Sequence, residues 1–363
     1  MATRKTARPT NSPAPKRRID LALQGGGSHG AFTWGVLDRL LEEEWLEIAG
    51  VSGTSAGAMN AVALAAGLME GGRTGARAAL RRFWERVSEA SPFSALDDSP
   101  LGTLFGPNNP WLQPWIAPWQ QVAKALGSQL SPYQLNPLNL NPLREILVDT
   151  VNFERVRGCH RTQLFIAATQ VSTGELRVFR QDELTAEMVL ASACLPLLFQ
   201  AVEIRGEAYW DGGYAGNPTL MPLISETDAD DLLLVPINPQ RRDEVPTQAN
   251  DILDRANEVT FNASLLKELR TIALIKELLQ DAGRPDSAYQ RPLFQRIDDL
   301  RLHRLDADDE LSKFGASSKL QTGRTFLLQL HEIGRHAADD WLHQHGKDIG
   351  KRSTCPLPQT YSG

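Results

Sequence analysis

Short apolar runs alternate with longer amphipathic stretches along the first 70 residues of the chain. Residues 19–23 and 48–52 are apolar runs of strand length, whereas residues 32–41 repeat their apolar side chains at helical spacing. A glycine-rich stretch separates the first run from this helix, and an alanine-rich helix is predicted at 56–68, directly after the second run. Strands that alternate with helices in this way form a parallel sheet with helices on both faces.

The remaining chain continues the alternation and becomes mainly helical after residue 240. The predicted strands cover residues 164–169, 175–179, 202–204, 208–210, 232–237 and about 300–305. The predicted helices cover residues 71–90, 142–150, 186–193, 251–279 and 322–344. We therefore predict an α/β fold, a three-layer α/β/α sandwich around a mostly parallel sheet, with a mainly helical C-terminal extension. The predicted boundaries are a tail at 1–18, an α/β domain at 19–240 and a helical region at 241–363 packed on the same domain.

Charge divides the chain into a basic tail and an acidic body. Residues 1–18 carry six basic side chains and no acidic one, whereas the rest of the chain carries 32 basic and 44 acidic side chains. An acidic body argues against general nucleic-acid binding, so we expect no nucleic-acid partner. The tail contains three prolines and no apolar run. This composition predicts disorder and gives no sign of a secretory signal.

Cysteine usage and hydropathy indicate a cytoplasmic location. The three cysteines, Cys159, Cys194 and Cys355, are widely spaced and odd in number. They suggest neither a disulfide framework nor a zinc site, which fits a reducing compartment. No stretch of the sequence has the apolar length needed to span a bilayer.

The composition changes between residues 91 and 142, which are rich in proline, asparagine, leucine and tryptophan and poor in charge. Trp111, Trp115 and Trp119 each follow a proline and recur every four residues, so a helix would place them on one face. One interpretation is an irregular insertion whose tryptophans are buried over the core. The other is a lid-like flap that contacts a lipid surface, because tryptophan suits an apolar–water boundary. In the second case the protein would be peripheral at membranes or other lipid surfaces.

A candidate nucleophile lies on the turn between the second strand and the helix that follows it. Residues 53–57 read G-T-S-A-G and thus have the G-x-S-x-G pattern, with Gly53 and Gly57 flanking Ser55. A sharp strand-to-helix turn projects a serine oxygen from the backbone. It also places the oxygen at a helix N-terminus, where developing negative charge is stabilised. Glycine and serine are frequent in ordinary turns, so this pattern needs support from the rest of the chain.

A second turn, which begins with Gly25, Gly26, Gly27 and Ser28, follows the first strand. Together with Gly30 it fits the G-x-G-x-x-G fingerprint of dinucleotide binding, but the second strand ends without the acidic residue that would hold a ribose. The alternative is an oxyanion hole. Successive glycines allow several backbone N–H groups to point at one spot without obstruction by side chains.

A nucleophilic serine needs a base, and two kinds of residue are available. A conventional Ser-Asp-His order would use one of the histidines in the C-terminal third, which are His303, His331, His336, His343 and His345. These lie among charged residues without a motif around them. Asp211 is favoured instead, because it follows two aromatic residues and precedes Gly212 and Gly213, which allow a sharp turn. A partly desolvated carboxylate at such a turn is a stronger proton acceptor than a solvated one.

In combination, these motifs resemble those of the patatin-like phospholipase family, in the same order and with similar spacing. The shared stretches are residues 25–30, 53–57, 191–196, 211–213 and 217–218, within a resemblance that covers about residues 18–240. The resemblance implies a three-layer α/β/α fold, no cofactor, and a serine lipid acyl hydrolase with a Ser-Asp dyad and no catalytic histidine. By position, Ser55 would be the nucleophile, Asp211 the base and the 25–27 loop the oxyanion hole. The substrate would be a lipid or another acyl ester.

One position departs from the family pattern. The family usually has arginine or lysine where this chain has His29, so a neutral imidazole there would supply less positive charge near the oxyanion. We expect an effect that depends on pH near neutrality.

Two alternatives to hydrolysis stay open. The same dyad would serve an acyltransferase if an alcohol, rather than water, accepted the acyl group. The other alternative is a protein that binds lipid surfaces or polyester granules and has weak esterase activity.

Overall fold

The predicted strands assemble into one mixed, mostly parallel sheet. A computed structural model describes residues 16–90, 131–242, 244–281 and 292–357. The strands in these ranges are β1 (Arg17–Leu23), β2 (Leu46–Gly53), β3 (Gln163–Gln170), β4 (Leu176–Arg180), β5 (Val202–Ile204), β6 (Glu207–Asp211), β7 (Asp231–Val235) and β8 (Arg301–Arg304). Their order across the sheet is β5-β6-β3-β2-β1-β7-β8, with β4 paired to β3 off this path. The five strands from β3 to β8 in that order run parallel, and β4, β5 and β6 form antiparallel pairs.

The helices come in long and short forms. The long helices are α1 (Gly30–Leu40), α2 (Ala56–Glu89), α8 (Ala249–Asp281) and α11 (Arg324–His345). The short helices are α3 (Pro132–Leu135), α4 (Pro142–Thr150), α5 (Phe153–Arg157), α6 (Ala186–Ser192), α7 (Met221–Glu226), α9 (Pro292–Asp299) and α10 (Asp308–Leu311). The two helices predicted at 56–68 and 71–90 are one segment, which non-helical dihedral angles interrupt at Gly71 and Gly72.

The sheet is buried on both faces, as a continuous apolar parallel strand requires. Along β7, Leu233 and Val235 belong to a core shared with α1, α2 and α11, whereas Leu232 and Leu234 belong to a core shared with α7, α8 and α9. Since successive side chains of a strand point to opposite faces, helices cover the sheet on both sides. This arrangement confirms the predicted three-layer α/β/α sandwich.

The chain beyond residue 240 contributes to all three layers. Its strand β8 pairs in parallel with β7, its helix α11 packs against α1, and its helix α8 lies on the opposite face. The predicted domain boundaries stay predictions. The basic tail up to residue 15 and the tryptophans at 111, 115 and 119 lie outside the described residues. None of the helices in the described ranges combines the length and the hydropathy that a bilayer span requires.

Candidate active site

Ser55 occupies a strained turn between β2 and α2. Its backbone φ is 53° and its ψ is −120°, in the left-handed region where non-glycine residues are rare. Neighbouring groups hold this turn in place, because Ser55 N donates to Ser192 Oγ at 2.9 Å and Thr54 Oγ1 donates to the Gly216 carbonyl at 2.6 Å. The predicted strand-to-helix turn is therefore present, with Ser55 at the N-terminus of α2.

Gly57 allows α2 to approach the sheet at this turn. A Cβ atom at position 57 would lie 2.2 Å from the Leu23 carbonyl oxygen, which belongs to the backbone of β1. A methyl group in that space would push the helix away from the strand that carries the neighbouring turn. Gly53, at the end of β2, faces the backbone of Gly57 itself, with 2.6 Å between its Cβ position and the Gly57 oxygen.

Gly57→Ala is expected to lower the free energy of unfolding by about 3 kcal/mol, because a rigid backbone must move to admit the methyl group. Chemical denaturation of the wild type and of Gly57→Ala measures the change in unfolding free energy. Gly346→Ala is the matched control, since a Cβ atom there would meet its nearest neighbour, the Trp45 ring, at an ordinary 3.7 Å. Equal unfolding free energies for the two variants would contradict this account of the turn.

The sheet brings Asp211 to the serine through an exchange of strands beside β3. On one edge of β3, Ile166 pairs with Gly53 at the end of β2, and two residues later Ala168 pairs with Asp211 of β6. The other edge is occupied by β4. Strand β6 therefore pairs with β3 beyond the point where β2 ends. As a result, Asp211 lies beside the residues that follow β2 in the chain.

Asp211 is a buried carboxyl group with one oxygen unengaged. The residue is 1% exposed, and its Oδ1 accepts a hydrogen bond of 2.7 Å from Gly213 N, in the short 3₁₀ turn that begins at Gly212. Its Oδ2 has no hydrogen-bond partner within the described residues. Burial raises the pKa of Asp211 to about 7, and the hydrogen bond from Gly213 and the nearby Ser55 hydroxyl oppose that rise. The group is thus a proton acceptor that titrates near neutrality.

The glycine loop passes directly over the serine. A Cβ atom at Gly25 would lie 2.7 Å from the Cβ of Ser55, and Gly27 has a positive φ of 60° that favours glycine. Gly25 N already donates to Asn217 Oδ1 at 2.7 Å, so this N–H group is not free for a ligand. The N–H groups of Gly26, Gly27 and Ser28 have no hydrogen-bond partner among the described residues. Of the four residues predicted to form an oxyanion hole, Gly26, Gly27 and Ser28 therefore have free N–H groups and Gly25 does not; the oxyanion hole itself stays a prediction.

The sequence profile of the family described as patatin-like phospholipase matches residues 21–224, which is more than half of the chain and includes both turns and Asp211. This chain belongs to the patatin-like phospholipase family. Among solved structures, VipD from Legionella pneumophila is similar to 92% of this chain and 68% of its own, at 16% sequence identity and a TM-score of 0.39. None of the curated proteins matches the sequence.

His29 supplies no positive charge to the glycine loop at neutral pH. It is 1% exposed, its Nε2 lies 2.8 Å from Ser318 Oγ, and its ring packs beside Phe314 and Phe326, which also contact each other. Burial and the nearby Lys319 ammonium lower its pKa to about 4. This pKa does not favour the pH-dependent effect near neutrality that the sequence suggests, because the imidazole is neutral well below that range. Gly30, the next residue, begins α1.

Four of the five histidines of the C-terminal third have partners other than Ser55. His303 lies 2.9 Å from Asp231 and 2.9 Å from Thr354, and His331 packs on Trp34 beside Asp38. His343 and His345 lie near acidic residues of their own helix or its end. Within the described residues, no histidine makes a hydrogen bond with Ser55.

Two buried side-chain amides, Gln24 and Asn262, support the patatin-like site and were not predicted from the sequence. Gln24 Oε1 accepts from the N–H groups of Ile237 and Asn238, both at 2.9 Å, and its Nε2 donates to Asn262 Oδ1 at 2.8 Å. These bonds join the ends of β1 and β7 to α8. Gln24 directly precedes the glycine loop, a local signal that could have identified it. Asn262 lies in an amphipathic helix without a motif.

Proposed function

We propose that this chain is a serine lipid acyl hydrolase in which Ser55 is the nucleophile and Asp211 the general base. The observation that carries the proposal is the buried Asp211 carboxyl group, whose Oδ2 is unengaged and whose pKa is raised to about 7 beside the Ser55 hydroxyl. A base of this kind is matched to proton transfer near neutral pH. The family membership supports the same substrate class, since the patatin-like family acts on lipid acyl esters.

The first half-reaction forms an acyl-enzyme. Ser55 Oγ attacks the ester carbonyl carbon while its proton passes to Asp211, and the carbonyl oxygen becomes an oxyanion. The free N–H groups of Gly26, Gly27 and Ser28 donate to that oxyanion. When the tetrahedral intermediate collapses, the bond to the leaving alcohol breaks, and Asp211 returns the proton to the alcohol oxygen.

The second half-reaction releases the acid. A water molecule attacks the acyl-enzyme carbonyl, and Asp211 takes one proton from it. Collapse of this second intermediate breaks the bond to Ser55 Oγ, which recovers the proton from Asp211, and the fatty acid leaves. All groups that act in these steps belong to the protein or are water.

The test is release of fatty acid by the purified protein from a panel of phospholipid, lysophospholipid, neutral glyceride and short acyl esters. We expect release from at least one class, with a burst of the first product equal to the enzyme concentration if deacylation is the slower step. Glycerol added as a competing acceptor separates hydrolysis from acyl transfer, because a transferase would form a new ester at the expense of free acid. No release from any ester would contradict the proposed function.

An exposed apolar surface borders Asp211 and fits a lipid substrate. Asp211 N donates to the Cys194 carbonyl at 2.8 Å, and the loop that follows Cys194 exposes 85% of Leu197 and 44% of Leu198. This loop joins a second exposed segment through a 2.7 Å bond from Gln200 to the Asn136 carbonyl. That segment exposes Tyr133, Leu135, Leu138 and Leu140. Exposed apolar surface of this kind is typical of an interaction site.

Leu197→Asp combined with Leu198→Asp is expected to lower hydrolysis of phospholipid vesicles by about 10-fold, because two charges oppose contact with an apolar surface. Hydrolysis of a soluble short-chain ester should change by less than about twofold, since these side chains do not enter the mechanism. Leu278→Asp, at a leucine that is 57% exposed near the far end of α8, is the control. Equal fold losses of hydrolysis on vesicles and on the soluble ester would contradict a role of Leu197 and Leu198 in contact with the lipid surface.

A further inference from the structure

One free N–H group of the glycine loop is coupled to a hydrogen-bond relay. Gly26 N–H belongs to the peptide group whose carbonyl is that of Gly25. This carbonyl oxygen accepts a hydrogen bond of 2.7 Å from Asn238 Nδ2. Hydrogen bonds in a chain polarise one another, so a donor on the carbonyl side makes the N–H side of the same peptide group a stronger donor.

The relay continues from Asn238 to an ammonium group. Asn238 Oδ1 accepts from Lys319 Nζ at 2.6 Å, and the backbone N–H of Asn238 is held by Gln24. An ammonium group only donates and a carbonyl oxygen only accepts, so these partners fix the orientation of the Asn238 amide. The positive charge of Lys319 is thus aligned through one amide with the Gly25–Gly26 peptide group.

Glu258, an acidic residue that acts on the Lys319 ammonium group, is itself paired with two arginines. Glu258 is 3% exposed and accepts from Arg242 at 2.7 Å and from Arg255 at 3.0 Å. Burial lowers the pKa of Lys319, and the Glu258 and Asp254 carboxylates oppose that change. Within the described residues, Asn238 is the hydrogen-bond partner of the Lys319 ammonium group, so its charge is directed at the loop.

The backbone around Lys319 is seated on the same loop. A Cβ atom at Gly27 would lie 2.3 Å from the Lys319 carbonyl oxygen, and Ser318 Oγ lies 2.8 Å from His29 Nε2. Lys319 belongs to a short 3₁₀ segment, Ala316–Leu320. A segment almost 300 positions along the chain therefore contacts the loop at Gly27 and His29 and brings its lysine within reach of Asn238.

We propose that Lys319 is a positioning residue for ester hydrolysis, which supplies through Asn238 the positive charge that His29 does not provide to the oxyanion loop. This inference rests on the proposed function. The negative charge on the carbonyl oxygen develops only in the transition state. Loss of the relay therefore lowers kcat and leaves substrate binding unchanged.

The experiment measures kcat and KM with a soluble short-chain acyl ester, with active sites counted by fluorophosphonate labelling. Lys319→Gln, which keeps a donor for Asn238 but removes the charge, is expected to lower kcat per labelled site about 10-fold with KM within about twofold. Lys319→Arg restores kcat to within about threefold, because the charge is retained. The double variant with Lys319→Gln and Asn238→Ala should lose no more kcat than the more impaired of the two single variants, because both residues act in one relay.

Lys276→Gln is the matched control, because Lys276 is also half-buried and donates to the Asp298 and Leu300 carbonyls, away from the loop. It should keep kcat within about twofold. A wild-type kcat for Lys319→Gln, a rise in KM alone, or additive losses in the double variant would each overturn the proposal. These outcomes are distinct from failure of the proposed function, in which Ser55→Ala itself would retain turnover.

Discussion

Ser55→Ala is expected to lower kcat for acyl-ester hydrolysis by about 10⁴-fold or more, because alanine has no oxygen to attack the carbonyl carbon. The remaining rate would come from the loop donors and substrate binding alone. Steady-state kinetics with a short-chain ester measure the loss, and circular dichroism verifies that the variant is folded. Turnover within about 10-fold of the wild type would remove Ser55 from the mechanism.

Ser55→Gly provides a second inactive variant that reports on the backbone. The residue has a φ of 53°, which glycine adopts without strain and alanine does not. We therefore expect the glycine variant to be more stable than the alanine variant by about 1 kcal/mol, while both are inactive. A less stable glycine variant would contradict the strained-turn account.

Replacement of Asp211 is expected to have the second large effect on turnover, and its role should be visible in the pH dependence of kcat/KM. The base must be ionised, and burial raises the pKa of Asp211 to about 7. The kcat/KM of the wild type should therefore fall tenfold per pH unit below about pH 7 and level off above it. Asp211→Asn removes the acceptor and should lower kcat by about 10³-fold at the plateau. A flat wild-type profile between pH 5 and pH 9 would contradict this role.

The same pKa predicts how stability changes with pH. The pKa of Asp211 is about 7 in the folded state and near 3.8 in the unfolded state. The folded state therefore holds the proton of this carboxyl group more tightly. Its contribution to stability is complete below about pH 4 and is lost as the pH rises through about 7, by at most about 4 kcal/mol. The unfolding free energy of Asp211→Asn minus that of the wild type should therefore be larger at pH 8 than at pH 4. Chemical denaturation at both values measures the difference.

Asp20 offers a matched control for this comparison. It is 2% exposed, its Oδ2 accepts from Thr227, and burial raises its pKa to about 8, yet it lies within β1 and away from Ser55. Asp20→Asn should show a similar pH-dependent gain in stability but keep turnover within about twofold. Loss of turnover in Asp20→Asn comparable to that of Asp211→Asn would mean that a buried charge, rather than a catalytic base, explains the effect.

Features with a local sequence pattern were predictable. The turn at Ser55, the glycine loop and the D-G-G sequence at 211–213 each combine small residues with an adjacent apolar strand, and the predicted helix at 142–150 has the same bounds in the structure. The alternation of strands and helices was sufficient for the three-layer fold, because few topologies bury a parallel sheet on both faces.

Features that depend on long-range packing were not predictable. Nothing near residue 211 indicates that β6 follows β2 along the same edge of β3, since that pairing is determined by register across the sheet. The support of the glycine loop by Asn238 and Lys319 likewise joins residues more than 200 positions apart. A lysine in a short polar segment has no pattern that distinguishes it from a solvated one, so only its contacts reveal its place.

The most direct test of the Ser-Asp site is mass spectrometry of the intact and digested protein after reaction with a fluorophosphonate. We expect one adduct per chain, located on the peptide that contains Ser55 and absent from Ser55→Ala. It also predicts that the labelling rate of the wild type rises with pH through about 7, as Asp211 ionises. An adduct on another residue, or equal labelling of Ser55→Ala, would show that Ser55 is not the nucleophile that Asp211 activates.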